Sequence, residues 1–206
     1  MKPIALIGGG GHARSIVEMT EGNALIEGYI DRTAVAAMDP LRWLGDDECF
    51  ADEYSPDRIA VHPAVGFTRG CSLALRRRLM ERYGAYEQPA LVAPSAWVGQ
   101  TATIGEGSTV MARAVINAGT NLGRWVVVNS GAIIEHDCRV GDNSFIAPGA
   151  VVCGGGAIGE DVFIGAGAIV KQGLTIASGA IIGMGAVVVR DITRPGVYVG
   201  NPAKEI

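Results

Sequence analysis

The sequence is poor in aromatic residues, has few cysteines and contains no long apolar run. Aromatic residues make up 6% of the 206 positions, whereas 49% are apolar and 30 are glycine. This composition disfavours a core built around large rings and favours tight, regular coils of small aliphatic side chains. The net charge of −4 gives no reason to expect nucleic acid or an anionic membrane as a partner.

The cysteines have neither a CxxC spacing nor a histidine cluster beside them, which argues against a zinc site or a disulfide framework. We therefore expect no metal, and we interpret Cys49, Cys71, Cys138 and Cys153 as buried, reduced thiols. Glycines interrupt the apolar N-terminus too early for a signal sequence, and no stretch approaches the ~18 apolar residues of a membrane span. A cytoplasmic location is expected.

One period dominates the C-terminal half. From Val92 to Val188 every sixth residue is Val, Ile or Leu, at seventeen positions without a missed step. A period of six matches neither the α-helix nor a heptad, and the many glycines would penalise a helix. Three hexads close a triangular coil, and each aliphatic residue stacks inward on its equivalent 18 residues away. The period predicts a single-stranded parallel β-helix over residues 89–206, after a smaller domain over 1–88.

Glycine recurs at two places in the hexad when the aliphatic residue is counted as position one. It is frequent at position two, as in Gly141, and more frequent at position four, as in Gly131. Such glycines predict turns with positive φ or close approaches of neighbouring backbones.

These features resemble the hexapeptide-repeat, left-handed β-helix acyltransferases, and the ending Gly200–Lys204 is similar to the family's G-x-P-A-K tail. The resemblance implies a left-handed β-helix and a homotrimer with each active site between two subunits. It also implies that acetyl-CoA is the co-substrate.

The N-terminal residues predict a small α/β, Rossmann-like domain. An apolar strand over 4–7 leads into four glycines and His12, followed by a helical pattern over 13–20. A glycine loop between a strand and a helix start is suited to bind an anion. A second strand over 25–30 ends in Asp31, about where an acidic residue contacts a sugar hydroxyl in dinucleotide-binding folds.

A third strand is predicted over 58–65, and a basic helix from about Gly70 to Tyr83. The glycine run lacks the full GxGxxG spacing because Ala13 takes the third place, and the domain is too short for two mononucleotide halves. Nicotinamide binding is therefore disfavoured. A glycine turn without a ligand and a nucleotide-sugar pocket both stay open, and the β-helix that follows favours the pocket.

A small Rossmann-like domain before such a β-helix resembles the sialic-acid O-acetyltransferase-like group, which includes N-acetyltransferases of nucleotide-linked 4-amino-4,6-dideoxy sugars. The resemblance implies that the nucleotide sugar is bound by Gly10, Gly11, His12, Asp31, Arg32 and Gly66. It implies cofactor contacts at Phe145, Ala166, Gly183 and Met184, with Phe145 standing where the family often has a histidine.

The candidate general base is His136, one of three histidines in the chain. At position three of its hexad a histidine would ordinarily be a solvated surface residue, but Glu135 and Asp137 flank it. A carboxylate bonded to one ring nitrogen fixes the tautomer and raises basicity at the other. The run N-S-x-x-x-I-E-H-D resembles the family's catalytic segment, which implies that His136 is the base and Asp137 its orienting acid. Glu135 is the lesser candidate.

The leading hypothesis is acetylation of the 4-amino group of a nucleotide-linked 4-amino-4,6-dideoxy sugar, in glycan biosynthesis. An alternative is O-acetylation of sialic acid or a related sugar, and a second alternative is a non-catalytic hexapeptide scaffold. The nucleotide, the sugar and the group that stabilises the oxyanion stay open.

Overall fold

The computed structural model describes residues 2–20, 24–67 and 72–206. The chain divides into two units, Met1–Ala90 and Leu91–Ile206, two residues after the boundary that the repeat suggests. We call the second unit the prism. Within the described residues, no helix combines the length and apolarity needed to cross a membrane.

The N-terminal unit is built on a three-stranded parallel sheet with helices beside it. Its strands are β1 Ile4–Ile7, β2 Ile26–Ile30 and β3 Ala60–Pro63, in the order β2-β1-β3. Its helices are α1 Gly11–Thr20, α2 Asp47–Glu53 and α3 Leu73–Arg82, with a short 3-10 helix at Ala36–Met38. All residues of the central β1 are buried, as expected for an apolar run in a parallel sheet covered on both faces.

The predicted strands and helices are present with small shifts. β3 is shorter than predicted and ends at Pro63, although the N–H of Ala64 still donates to the carbonyl oxygen of Ile7. The proposed start of the basic helix near Gly70 lies outside the described residues. α2 was not predicted, although Asp46 caps it by accepting hydrogen bonds from the N–H groups of Glu48 and Cys49.

The prism consists of two-residue strands connected by turns. Its strands are β4 Leu91–Val92, β5 Trp97–Val98, β6 Thr103–Ile104, β7 Thr109–Val110, β8 Val115–Ile116, β9 Asn121–Leu122, β10 Val127–Val128, β11 Ile133–Ile134, β12 Arg139–Val140, β13 Phe145–Ile146, β14 Val151–Val152, β15 Ala157–Ile158, β16 Phe163–Ile164, β17 Ile169–Val170, β18 Thr175–Ile176, β19 Ile181–Ile182, β20 Val187–Val188, β21 Val197–Val199 and β22 Lys204–Glu205. They form an eight-stranded, a six-stranded and a five-stranded sheet, which are the three faces of the prism.

Strands pair in parallel with their equivalents 18 residues away, so that Ile134 lies beside Ile116 on one side and Val152 on the other. The position-one residues from Val110 to Val188 are at most 4% exposed and form one continuous core. Val92, in the first coil, is 38% exposed because it lies at the end of the stack. The predicted left-handed parallel β-helix is confirmed.

Turn geometry follows the coil rather than the residue type. Position-four glycines such as Gly131 have φ near +65°, as predicted. Between Gly107 and Gly185 the non-glycine residues at the same position also have positive φ, which is 58° for both Asp137 and Asn143. Asn and Asp tolerate this left-handed conformation better than most residues. At position two, a Cβ on Gly141 would lie 2.6 Å from the carbonyl carbon of Gly159, which confirms the predicted close approach.

Candidate active site

His136 lies at position three of the turn that follows β11, where the chain passes from the six-stranded to the five-stranded sheet. Its side chain is 64% exposed, and its Nδ1 is 2.9 Å from Oδ2 of Asp137. An ionised carboxylate only accepts hydrogen bonds, so Nδ1 donates. The neutral ring then keeps a free electron pair on Nε2, which is able to accept a proton.

The coil holds Asp137 in place for this contact. Its backbone N–H donates to the carbonyl oxygen of Ala118 in the preceding coil at 2.9 Å. The residue occupies position four with positive φ, and the same conformation recurs at that position from Gly107 to Gly185. The carboxylate is therefore oriented by a backbone that the repeat determines.

Glu135 points to a different partner. Nδ2 of Asn117, one coil earlier, donates to its carboxylate at 2.9 Å, and the hydroxyl of Thr120 donates to its carbonyl oxygen at 2.7 Å. These contacts tie Glu135 to the preceding coil. Asp137 is the flanking acid that contacts the ring.

An open pocket of about 330 Å³ adjoins His136. Gly154 and Gln172 line it as the position-three residues of the next two coils, together with Gly173. The pocket therefore runs along the edge of the prism, past the Nε2 side of the imidazole ring. A small acceptor group and an acyl donor would both have access to the ring.

The thiols near His136 are not arranged as nucleophiles. Cys138 is buried, its Sγ donates to the carbonyl oxygen of Cys153 at 3.4 Å, and burial raises the pKa of its thiol. The thiolate is the reactive form, so burial makes Cys138 less reactive. Cys153 is half-buried. The expectation of a buried thiol is wrong for Cys49, which lies exposed in the short α2, and Cys71 lies outside the described residues.

The residues assigned to the cofactor lie along the eight-stranded sheet and the turns that follow it. Phe145 in β13 is 6% exposed and stacks on Phe163 with ring centroids 5.8 Å apart. Ala166 follows β16, while Gly183 and Met184 follow β19, and Met184 is 80% exposed. A Cβ on Gly183 would lie 2.7 Å from Cγ1 of Val199, so its lack of a side chain allows β21 to pack.

The assigned catalytic and cofactor residues occupy different corners of the prism. Ala166 and Met184 lie where the chain enters the six-stranded sheet, and His136 lies where it leaves that sheet. The two groups therefore flank opposite edges of one face. A single prism does not bring them together.

In the N-terminal unit, the predicted substrate residues lie at the carboxyl edge of the parallel sheet, where ligands of such folds bind. Gly10 and Gly11 form the start of α1, and a Cβ on Gly10 would meet nothing within 4 Å. Gly66 follows β3, and a Cβ on it would lie 3.7 Å from Cβ of His12. The loop ends of β1 and β3 therefore adjoin one another.

Asp31 is hydrogen-bonded to the glycine loop that follows β1. Its Oδ2 accepts the N–H of Gly9 at 2.8 Å, and its Oδ1 accepts the N–H of Arg32 at the same distance. The side chain of Arg32 is exposed. The hydrogen bond to Gly9 was not foreseen, and it links the ends of β1 and β2 beside the open Gly10.

Two histidines of this unit are unsuited to act as bases near neutral pH. Burial lowers the pKa of His12 to about 4, with a further contribution from the Arg76 cation. Burial also lowers the pKa of His62 to about 3, and its Nδ1 lies 2.9 Å from the carbonyl oxygen of Pro89. Both rings stay neutral, and His62 has a structural role in the core.

Arg76 is a residue of this site that the sequence interpretation missed. It is 1% exposed, and its Nε donates to the carbonyl oxygen of Val65 at 3.1 Å, just after β3. A signal was available, because Leu73, Arg76 and Met80 follow the i, i+3, i+7 spacing of the buried face of a helix. Because α3 is rich in arginine, the sequence did not distinguish the inward-facing Arg76 from its neighbours.

Comparisons with known proteins cover both units. The PglD N-terminal domain matches residues 3–83, and the hexapeptide repeat of succinyl-transferase matches 101–136 and 157–190. The acetyltransferase domain of PglB from Neisseria gonorrhoeae is 34% identical, with a TM-score of 0.91 over 100% of both chains. The same domain in complex with acetyl coenzyme A gives the same identity and TM-score over 100% of this chain and 99% of that one.

PerB from Caulobacter crescentus, solved in complex with CoA and GDP-perosamine, is 32% identical. Its TM-score is 0.89 over 100% of this chain and 98% of that chain. No curated protein sequence matches the chain significantly. The identity and coverage of these structures confirm the resemblance drawn from the repeat and the glycine loop. The chain belongs to the family of hexapeptide-repeat acetyltransferases that carry a PglD-type N-terminal domain.

Proposed function

We propose that this enzyme transfers the acetyl group of acetyl-CoA to the 4-amino group of a nucleotide-linked 4-amino-4,6-dideoxy sugar. The observation that carries the proposal is the contact between Nδ1 of His136 and Asp137 on an exposed corner, with Nε2 beside an open pocket. PglB with acetyl coenzyme A and PerB with CoA and GDP-perosamine support the two substrate classes. Acetylation of such a sugar belongs to glycan biosynthesis.

His136 acts as the general base in a direct transfer. The neutral sugar amine attacks the acetyl carbonyl and forms the C–N bond, while Nε2 of His136 takes a proton from the amine. Asp137 stabilises the imidazolium that results. The tetrahedral oxyanion is held by a backbone N–H of the coils beyond His136. It then collapses, the C–S bond breaks, and the CoA thiolate leaves and receives the proton from His136.

The N-terminal unit binds the nucleotide at the carboxyl edge of its sheet. The N–H groups at the start of α1 favour an anion such as a pyrophosphate, and Gly10 leaves room for close approach. The buried Arg76 adds positive potential beside His12, whose pKa is lowered chiefly by burial and further by this cation. Gly11, His12, Asp31, Arg32 and Gly66 shape the remainder of this pocket.

We propose a homotrimer because the six-stranded face of the prism carries an outward apolar row whose members include exposed side chains. Trp97 is 53% exposed and Ile169 is 41% exposed. The outward row of the six-stranded sheet is Trp97, Val115, Ile133, Val151, Ile169 and Val187. The five-stranded sheet instead presents polar residues such as Asn121 and Arg139. A contiguous apolar row of this kind is typical of an interaction surface.

Packing through this face would also complete the active site. The face separates His136 at one edge from Ala166 and Met184 at the other. A neighbouring copy can place its cofactor residues beside His136, which a single prism does not do. Acetyl-CoA then lies in the groove between copies, along the turns of Ala166, Gly183 and Met184. Phe145 contributes packing where relatives have a polar ring.

The proposal is tested with the full chain and three nucleotide series. UDP-, GDP- and dTDP-linked 4-amino sugars are compared in thermal-shift and CoA-release assays with acetyl-CoA, and the matching 4-hydroxy sugars serve as controls. One amino sugar should stabilise the protein and release CoA, whereas its 4-hydroxy analogue releases none. Absence of a shift with every nucleotide sugar would overturn the assigned pocket. Acetylation of free sialic acid would instead favour the O-acetyltransferase alternative.

A further inference from the structure

Gly154 lies at position three of its hexad, a position that carries a side chain in all the other hexads. Position-three residues recur every sixth residue from Pro94 to Arg190, and Gly154 is the only glycine among these seventeen. The coil conformation there accepts proline, alanine and longer side chains, as Pro148, Ala166 and Gln172 show. Gly154 does not adopt the left-handed conformation that favours glycine. The backbone therefore does not explain why this position lacks a side chain.

The explanation lies one coil earlier. A Cβ built on Gly154 would lie 2.7 Å from Nε2 of His136, 2.8 Å from Cε1 and 3.2 Å from Cδ2. Non-bonded heavy atoms are ordinarily about 3.5–4.0 Å apart, so a methyl group here and the ring in its present place exclude each other. Three ring atoms of His136 occupy the volume that any side chain at position 154 would fill.

The ring rather than the backbone would give way. His136 is 64% exposed and turns about two side-chain bonds, so it can swing into solvent without disturbing the coil. A side chain at position 154 would thus displace the imidazole and weaken its contact with Asp137 while leaving the fold intact. Asp137 on the Nδ1 side and the bare backbone of Gly154 beneath Nε2 together define where the ring lies.

We infer that Gly154 is a positioning residue: the absence of its side chain seats the ring of His136 so that Nε2 faces the pocket. The catalytic consequence of this inference rests on the proposed function, because the position of the ring matters only if His136 transfers the proton. Its steric part is independent of the reaction and can be measured without substrate.

The first test compares Gly154→Ala with Ser178→Thr in the full chain. Ser178 is a position-three residue at the corner between the five-stranded and the eight-stranded sheet, and its threonine variant also adds one heavy atom. Gly154→Ala should lower kcat by about 10–100-fold, since a misplacement of about 1 Å can cost ~10²-fold, and KM for both substrates should change less than about twofold. Ser178→Thr should keep wild-type kcat. Wild-type kcat in Gly154→Ala would overturn the inference.

A double-variant cycle separates positioning from a general structural role. The His136→Ala background lacks the ring, so adding Gly154→Ala should cause no measurable change in the residual activity or the Tm. Equal losses in both backgrounds would contradict the inference, because the effect would then bypass the ring. Should Gly154→Ala alone not fold, normal folding of the double variant would still support the clash, and misfolding of both would refute it.

Histidine NMR supplies a readout that needs no activity. The chain has three histidines, so the ring signals of His136 are identified by their loss in His136→Ala. Gly154→Ala should shift these signals and leave those of His12 and His62 in place, whereas Ser178→Thr should shift none. If the His136 ring signals did not shift in Gly154→Ala, the steric claim would be wrong. Shifted signals together with a fully active His136→Ala would uphold the steric claim and refute the proposed base instead.

Discussion

The two units of the chain encode their structures in opposite ways. In the prism, each environment recurs every 18 residues, and the same kind of side chain fills the core coil after coil. In the N-terminal unit, single groups such as Asp31, His62 and Arg76 each make contacts that nothing repeats. A functional residue in the prism is therefore visible as a departure from the repeat, whereas in the N-terminal unit it is visible only through its contacts.

The contrast between the two units is sharpest at the corner that carries the proposed base, His136. His136→Ala should lower kcat by ~10²–10⁴-fold, the scale of losing a general base. The Tm should stay at the wild-type value, because the ring is exposed and the core lies elsewhere. Steady-state kinetics and thermal unfolding check both expectations, with Gln100→Ala at position three of the first coil as the control. Activity within a few-fold of wild type would remove His136 as the base.

Because the core of the prism repeats from coil to coil, the same substitution at equivalent positions should destabilise the fold equally. Ile146 and Ile164 are both 0% exposed and adjoin one another in the eight-stranded sheet. Each Ile→Ala change should lower the free energy of unfolding by about 2–5 kcal/mol, and the two values should agree within about 1 kcal/mol. Denaturant titration measures both. A difference of several kcal/mol would show that the coils are not equivalent, which would contradict the contrast between the repeating prism and the N-terminal unit.

Asp137 tests whether a turn position has acquired a function. Asparagine already occupies the same position at Asn143 with φ of 58°, so Asp137→Asn keeps the turn and removes the charge. We expect kcat to fall by roughly 10–100-fold at unchanged KM, less than the ~10⁴-fold known for a buried orienting carboxylate, because this pair is exposed. Asp161→Asn, at position four of another corner, is the matched control and should be neutral. Equal kinetics in the two variants would make Asp137 a turn residue only.

The last expected effect belongs to the N-terminal unit and depends on pH. Burial lowers the pKa of His62 from 6.5 to about 3, so the unfolded chain binds a proton between these values that the folded chain does not. The stability should therefore fall as the pH drops from about 6.5 toward 3, by up to about 1.4 kcal/mol per pH unit for this one group.

His62→Gln tests this assignment, because the amide can replace the hydrogen bond to Pro89 and does not titrate. Its free energy of unfolding, measured by denaturant titration from pH 7 to pH 4, should depend on pH less steeply than that of the wild type. An unchanged slope would assign the acid sensitivity to other groups, of which His12 is the first candidate.

Prediction from the sequence succeeded where the signal was periodic or local. The six-residue spacing predicted the β-helix and its register, the recurrent glycines predicted turns with positive φ, and the glycine loop predicted the edge at which α1 begins. It failed for Arg76, because a buried cation on a basic helix resembles its exposed neighbours in one dimension. It also failed for Cys49, which a burial tendency assigned to the core although α2 exposes it.

By itself, the sequence determined which residues stack, because a constant spacing of aliphatic residues permits only one coil length and therefore one register. It also singled out His136, since acidic residues flank it on both sides and a carboxylate can orient the ring. The tertiary structure shows that Asp137, the acid that the family resemblance favoured, meets the ring and that Glu135 does not, and it alone decided that a side chain at position 154 would collide with the ring. Those outcomes depend on side-chain directions at a turn and on distances of a few ångströms between coils, and composition and spacing do not specify either.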